Sequence, residues 1–190
     1  MIVRQNLQAN RMLFARFGAN MTMVSSQIIA NECIAVLRTP LLAEFLDLVR
    51  HKDDFWAYSL AESLRSLLGE ETPGFWSFSI DDNEAPGLVD LMNRIRRPVS
   101  IGDLCRSAKR KDDCIPCLAL LAVRGTTTIE LPNDDFEIEF GDRFLFAGQV
   151  AAEIDQSLML QNANVAAYVL GARSEAEGWV WRKFERALAR

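Results

Sequence analysis

The sequence predicts a mixed α/β chain, in which an incomplete βαβα segment and connecting helices precede a small β-rich lobe. Three observations carry that prediction. Short apolar runs alternate with helical periodicities from Met1 to Leu37, the rhythm of a doubly wound parallel sheet. Two strongly apolar helical stretches then follow, from Leu41 to Leu68. Between Leu118 and Gly148, three short β runs are separated by turn residues, which specifies a small sheet.

Taken in order, Met1-Ile2-Val3 reads as the end of an apolar strand. Gln5 to Phe17 has helical spacing, with Leu7, Leu13, Phe14 and Phe17 on one side and Gly18 as its stop. Met21 to Val24 forms a second strand, and Ser25 or Ser26 caps a helix through Ile28, Ile29, Cys33, Ile34 and Leu37. A two-stranded parallel sheet cannot cover both its faces. The expectation is therefore that the chain opens partway through a larger α/β domain, whose other strands are missing here or supplied by another molecule. Pro40 suits the first turn of a helix running from Leu41 to Arg50. Leu41, Leu42, Phe45, Leu46, Leu48 and Val49 make that helix apolar over more than one face, so it sits deep or packs against a partner subunit. Asp53 or Asp54 caps the next helix, Phe55 to Leu68, in which Trp56, Leu60, Leu64, Leu67 and Leu68 recur at helical spacing and which Gly69 ends. That stripe reads as core, with a subunit interface as the other reading.

Glu70-Glu71-Thr72-Pro73-Gly74 marks a boundary. Phe75 to Ile80 alternates Trp76, Phe78 and Ile80 with Ser77 and Ser79, the pattern of a half-buried strand. Asp81-Asp82-Asn83-Glu84 reads as a solvated turn with a helix cap; cation binding is the other reading, although the spacing is not that of an EF-hand loop. A short helix carries Leu88, Val89 and Leu91, and Pro98-Val99-Ser100 opens another with Ile101, Leu104 and Cys105 inward. Leu118 to Val123 is an apolar strand that breaks at Arg124-Gly125, and Thr126 to Leu131 is a second, ended by Pro132 because proline cannot donate to a ladder. Phe144 to Ala147 follows the tight turn Gly141-Asp142 and closes at Gly148. The chain thus divides into 1–38 (the βαβα segment), 39–70 (connecting helices), 71–160 (the β-rich lobe) and 161–190 (a helical tail).

Within that tail, Glu177 to Arg190 sets Trp179, Val180 and Phe184 among Arg182, Lys183, Arg186 and Arg190, an amphipathic basic helix. No apolar run approaches the roughly 20 residues that span a bilayer, and no leader opens the chain, so it is expected to be a soluble piece not directed to secretion. A net charge of -5 argues against a nucleic-acid partner. Arg94, Arg96, Arg97, Arg106, Lys109, Arg110 and Lys111 concentrate positive charge, which reads as a solvated face or as a seat for an anionic ligand. Cys33, Cys105, Cys114 and Cys117 read as reduced thiols of a cytoplasmic protein. Cys114-Ile-Pro-Cys117 has the spacing of half a zinc knuckle or of a redox pair; the only histidine, His51, is distant, and ordinary packing residues are the simpler reading. No G-x-S-x-G elbow and no metal-ligand spacing occurs, so the chain is not expected to be an enzyme.

The order strand, helix pair, strand, Arg124-Gly125 turn and second strand leads into Leu131-Pro132-Asn133-Asp134 and then Phe140 to Gly148. That arrangement resembles the C-terminal lobe of the regulator of potassium conductance (RCK) family, the TrkA-C domain. The stretch from Arg16-Phe17-Gly18-Ala19-Asn20 to Pro40 is similar to the last βαβ turn of the family's Rossmann-like (TrkA-N) lobe, with Asn20 where the family pattern has an acid. Asn164 to Tyr168, Gly171 and Gly178-Trp179-Val180-Trp181-Arg182 resemble the ending of bacterial two-helix potassium channels.

The resemblance implies a cytoplasmic gating module tethered at the inner face of the plasma membrane. It would act on a pore-forming transmembrane segment in the same gene or a partner chain, and assemble as a homodimer or higher homo-oligomer. A free-standing subunit of a Trk-like uptake system, or a sensing module unrelated to transport, are the other readings. Family members bind nucleotide or divalent cation, but no G-x-G-x-x-G occurs here and no cofactor is evident. Arg4, Gln5 and Asn6, where the first strand leaves the sheet's carboxyl end, are the candidate ligand edge or simply a helix cap and its first turn. The family reading makes Leu41, Leu42, Phe45, Leu46 and Val49 a subunit-pairing surface.

Overall fold

The computed structural model describes residues 2–5, 21–24, 39–69, 71–95, 97–110 and 113–171. Its centre is a four-stranded antiparallel sheet of β3 (Gly74–Ser79), β4 (Cys117–Arg124), β5 (Thr127–Glu130) and β6 (Arg143–Gly148), in the order β3-β6-β4-β5. The fold class is mixed, α+β, as the sequence predicts. Helices α1 (Pro40–Val49) and α2 (Asp54–Leu68) precede the sheet. Helices α3 (Pro86–Arg94) and α4 (Ile101–Leu104) lie between β3 and β4, and α5 (Val150–Gln161) and α6 (Ala163–Val169) follow β6.

Both faces of the sheet are covered, which explains why β4 (CLALLAVR) and β6 (RFLFAG) read as almost continuous apolar runs. On one face Trp76, Phe78, Ala119, Ala122, Phe144 and Phe146 pack with Leu88 and Leu91 of α3 and with Met159 of α5. On the other, Leu120, Leu121, Val123, Leu145 and Ala147 pack with Leu41, Leu42 and Phe45 of α1. Strict alternation would not put Ala119 and Ala122 on one face. The register of β4 against β6 shifts between Ala119 and Leu121, so Leu120 and Leu121 both turn towards α1 and the alternation resumes at Ala122. Phe146 stacks between Trp76 (6.0 Å, 12°) and Phe78 (5.6 Å, 12°), tying the β3 edge to the centre of the sheet.

Local signals account for most helix limits. Pro40 sits in the first turn of α1; Asp53 Oδ1 accepts from Trp56 N–H at 2.8 Å to start α2, and Gly69, at φ 65°, ends it. Ser100 and Asp103 form a capping box at α4. The acidic turn does not cap α3 with a side chain: Ala85 holds that position, and Pro86 at the start makes a missing N–H harmless. Asp81 Oδ1 instead accepts from the backbone N–H groups of Asn83 and Glu84, at 2.8 Å each.

Helices on either side of the sheet complete its two cores. Helix α1 contributes Leu41, Leu42 and Phe45 to a core built on β4 and β6, and α6 contributes Ala166, Ala167 and Val169 to the core on the opposite face. Helix α5 escaped the sequence reading because its pattern is inverted. Its buried side includes Ala152, Asp155 and Gln156, whereas Val150, Ile154 and Leu158 are exposed. Gln156 earns its interior place by accepting from the Trp76 indole N–H at 2.7 Å and donating to the Leu104 carbonyl at 3.2 Å.

Strands β1 (Ile2–Gln5) and β2 (Met21–Val24) pair in parallel, Ile2 with Met21 through Gln5 with Val24. The helices expected over Gln5 to Phe17 and Ile28 to Leu37, and the basic helix expected over Glu177 to Arg190, lie outside the described residues apart from Gln5. That residue ends β1, so the strand runs two positions further than the sequence suggested.

Candidate functional site

Arg4 and Gln5, two of the predicted ligand-edge residues, are the last residues of β1 and pair with Met23 and Val24. The backbone thus puts them at the carboxyl end of the parallel pair. Asn6 lies outside the described residues.

The residues expected to pair subunits separate into two groups. Leu41, Leu42 and Phe45 are buried on the chain's own sheet, and Val49 packs at the rim of that core. Leu46 is 44% exposed, the member of the set available to another molecule. The two-sided apolarity of α1 is thereby largely spent within the chain, with Trp56 of α2 closing over Phe45 at 6.4 Å.

The basic stretch is matched by acids. Arg94 pairs with Asp90 (3.4 Å), Arg97 with Asp103 (2.9 Å), Arg106 with Asp103 (3.7 Å), Lys109 with Asp155 (3.1 Å) and Arg110 with Asp113 (2.9 Å). Arg96 and Lys111 lie outside the described residues. Asp103 and Asp155 are buried, so these pairs position α4 and α5 more than they offer charge to an anion. Arg97 also donates to the Leu170 carbonyl at 3.2 Å, closing the end of α6.

The cysteine pairing differs from the sequence motif. Cys117 Sγ lies 3.6 Å from Cys105 Sγ, while Cys114 is exposed. The hydrogen bond to Cys105 and burial push the Cys117 thiol far above its ordinary value, which makes it a poor nucleophile. Among the described residues, no three His, Cys, Asp or Glu side chains converge to hold a metal ion. His51 Nδ1 lies 2.8 Å from the Asp47 carbonyl, at the end of α1.

The densest polar constellation centres on Arg124, which the sequence presents only as a strand break. Its Nε and Nη2 meet the two carboxylate oxygens of Asp142 at 2.8 and 2.7 Å. Nη1 reaches Glu139 Oε1 at 2.7 Å and Nη2 also donates to the Glu137 carbonyl at 2.6 Å, while the guanidinium lies 4.9 Å from the Phe136 ring centre. Asp142, 1% exposed, also accepts from Glu139 N–H at 2.9 Å. The hydrogen bond to Asp142 raises the Arg124 pKa above its ordinary value. Every arm of the fork is engaged, so the cluster locks the loop from Phe136 to Asp142 against β4. The sequence carries no signal that joins the strand-end arginine to the Gly-Asp turn, because the two meet only through the β4–β6 pairing.

Two hollows flank β3, an outer strand of the sheet. One, of about 290 Å³, lies against α5 and is lined by Trp76, Ser77, Glu84, Glu153, Gln156 and Gln161 among others. The other, of about 150 Å³, lies against the first turn of α1 and includes Pro40, Leu41, Ser79 and Arg143. Ser77, Phe78 and Glu84 border both.

The sequence matches no model of a known protein family, and no curated protein is similar enough to count as a relative.

Proposed function

We propose that this chain is a regulatory, non-catalytic module of a potassium-transport system of the RCK kind, coupling ligand binding or subunit pairing to ion flow. The observation that supports this reading is the order of elements in the lobe: β3, the pair α3 and α4, then β4, β5 and β6, with the Leu131–Asp134 turn and the Gly141-Asp142 turn entering β6. This is the order the sequence resemblance implies. The Arg124 to Asp142 fork gives the Gly141-Asp142 turn a physical role, since it holds the entry to β6 in place. Among the described residues no helix is long and apolar enough to cross a membrane, so the reading requires a pore elsewhere in the gene or on a partner chain.

On this reading the module works on the cytoplasmic side of the plasma membrane as a homodimer or higher homo-oligomer. A nucleotide or divalent cation, if one is read, would meet the carboxyl end of β1 at Arg4 and Gln5. Cross-linking the tagged native protein in cells, followed by recovery and mass spectrometry, tests the proposal. Recovery of a pore with two membrane-spanning helices and a selectivity filter, on the same polypeptide or joined to it, is expected. Recovery with no membrane protein would refute the assignment.

A further inference from the structure

We propose that the outer edge of β3 receives an extended, lysine- or arginine-bearing segment of a partner protein as an added strand, a role that does not depend on the transport reading. The hydrogen bonds that prolong the ladder decide which backbone groups face outward. Ile80 N–H donates to the Asp142 carbonyl and the Ile80 carbonyl accepts from Gly141 N–H, both at 2.8 Å. With Phe78 opposite Phe144 and Trp76 opposite Phe146, the even-numbered residues of β3 bond to β6, and the backbone groups of Phe75, Ser77 and Ser79 point away from the sheet. The Ser79 N–H is taken by the Glu84 carboxylate. Those of Phe75 and Ser77 have no partner among the described residues, and Phe75 is 40% exposed. An outer strand with free amides and carbonyls is a template for another strand.

The two hollows supply the specificity. One lies on the α5 side of β3 and the other on the α1 side, and both border Ser77 and Phe78. Successive side chains of an added strand point to opposite faces, so they would enter the two hollows in turn. Among the described residues, the larger hollow carries the Glu84 and Glu153 carboxylates and no cation, which favours a cationic side chain there. A second copy of β3, Gly-Phe-Trp-Ser-Phe-Ser, has no cation to set against those carboxylates, so charge complementarity disfavours a β3–β3 pairing of two copies and favours a cationic partner segment.

The test uses the full chain and fluorescence anisotropy with labelled octapeptides of alternating threonine and lysine. A glutamate counterpart is the charge control. Two further versions of the lysine peptide are N-methylated on one or the other set of alternate amides. Saturable binding of the lysine peptide is expected, with the glutamate peptide weaker by about tenfold or more. One methylated version should lose binding while the other keeps it, because only one set of amides faces β3. Glu153→Gln, on the exposed side of α5, should weaken binding without changing the melting temperature. Absence of saturable binding, equal affinity for the two charges, or indifference to both methylation patterns would overturn the proposal. So would self-association of the chain that the lysine peptide cannot displace, which would assign the edge to a second copy.

Discussion

Replacing Arg124 with methionine removes the fork while keeping an unbranched side chain over Phe136. Asp142 is 1% exposed and meets Arg124 through both oxygens; with methionine opposite, it keeps the Glu139 N–H at 2.9 Å but loses the guanidinium. Breaking one side of a buried pair costs about 3–5 kcal/mol, because the remaining charge is left uncompensated. The Arg124 side chain is 35% exposed, so water can reach part of the vacated site, and the expected loss falls to about 2–3 kcal/mol. The contact with Glu139, itself 64% exposed, adds about 0.5 kcal/mol or less. Urea unfolding followed by tryptophan fluorescence provides the assay, since Trp76 is buried beside Phe146. Asp142→Asn should be destabilising by itself, and the double variant should cost less than the sum of the two single changes by about 1 kcal/mol or more. Strict additivity, or a loss below about 1 kcal/mol for Arg124→Met, would refute the account of the fork as a lock on the loop before β6.

Further outcomes follow from the same structure. Gln156→Leu leaves the Trp76 indole N–H and the Leu104 carbonyl without their partner and should cost about 2–4 kcal/mol in chemical unfolding. Gly141 adopts φ 90°, so Gly141→Val should destabilise the lobe by about 1–3 kcal/mol, whereas an unchanged melting temperature would show that the turn re-forms with negative φ. Phe45→Asp should unfold the α1 layer, because Phe45 is buried on the sheet, while Leu46→Asp should leave the fold intact and lower the sedimentation mass of any oligomer. The raised value of Cys117 means that its contribution to stability is fully present below the unfolded thiol's ordinary value, near 9.0, and fades as pH rises above it. Cys117→Ala should flatten that alkaline decline.

The lobe was legible in the sequence wherever one residue type answered one local question. Pro40, Gly69 and Gly141 mark their turns and caps by backbone geometry and Asp53 by its capping carboxylate, and the alternation of Trp76 and Phe78 with Ser77 and Ser79 gives the face of β3. What failed to show was long-range. Helix α5 buries Asp155 and Gln156 and exposes Ile154, a pattern that makes sense only once Lys109, Ser107 and Trp76 stand opposite. The fork between Arg124 and Asp142 links residues eighteen positions apart, and the sequence offers no reason to join them until β4 and β6 lie side by side. Likewise, the apolar excess of α1 left open whether the helix sits deep or meets a second subunit, because a sequence cannot say that β4, with its register shift, presents both Leu120 and Leu121 to that helix.

The central claim, a regulatory role in potassium transport, is tested most directly by rubidium-tracer flux into membrane vesicles from the native cells. Vesicles with the intact gene are compared with vesicles in which the segment coding for this chain is deleted and the rest of the gene or operon retained. Deletion should change the flux and abolish its response to added ligand, and restoring the segment should recover both. Identical flux with and without the segment, at equal amounts of pore protein, would contradict that claim.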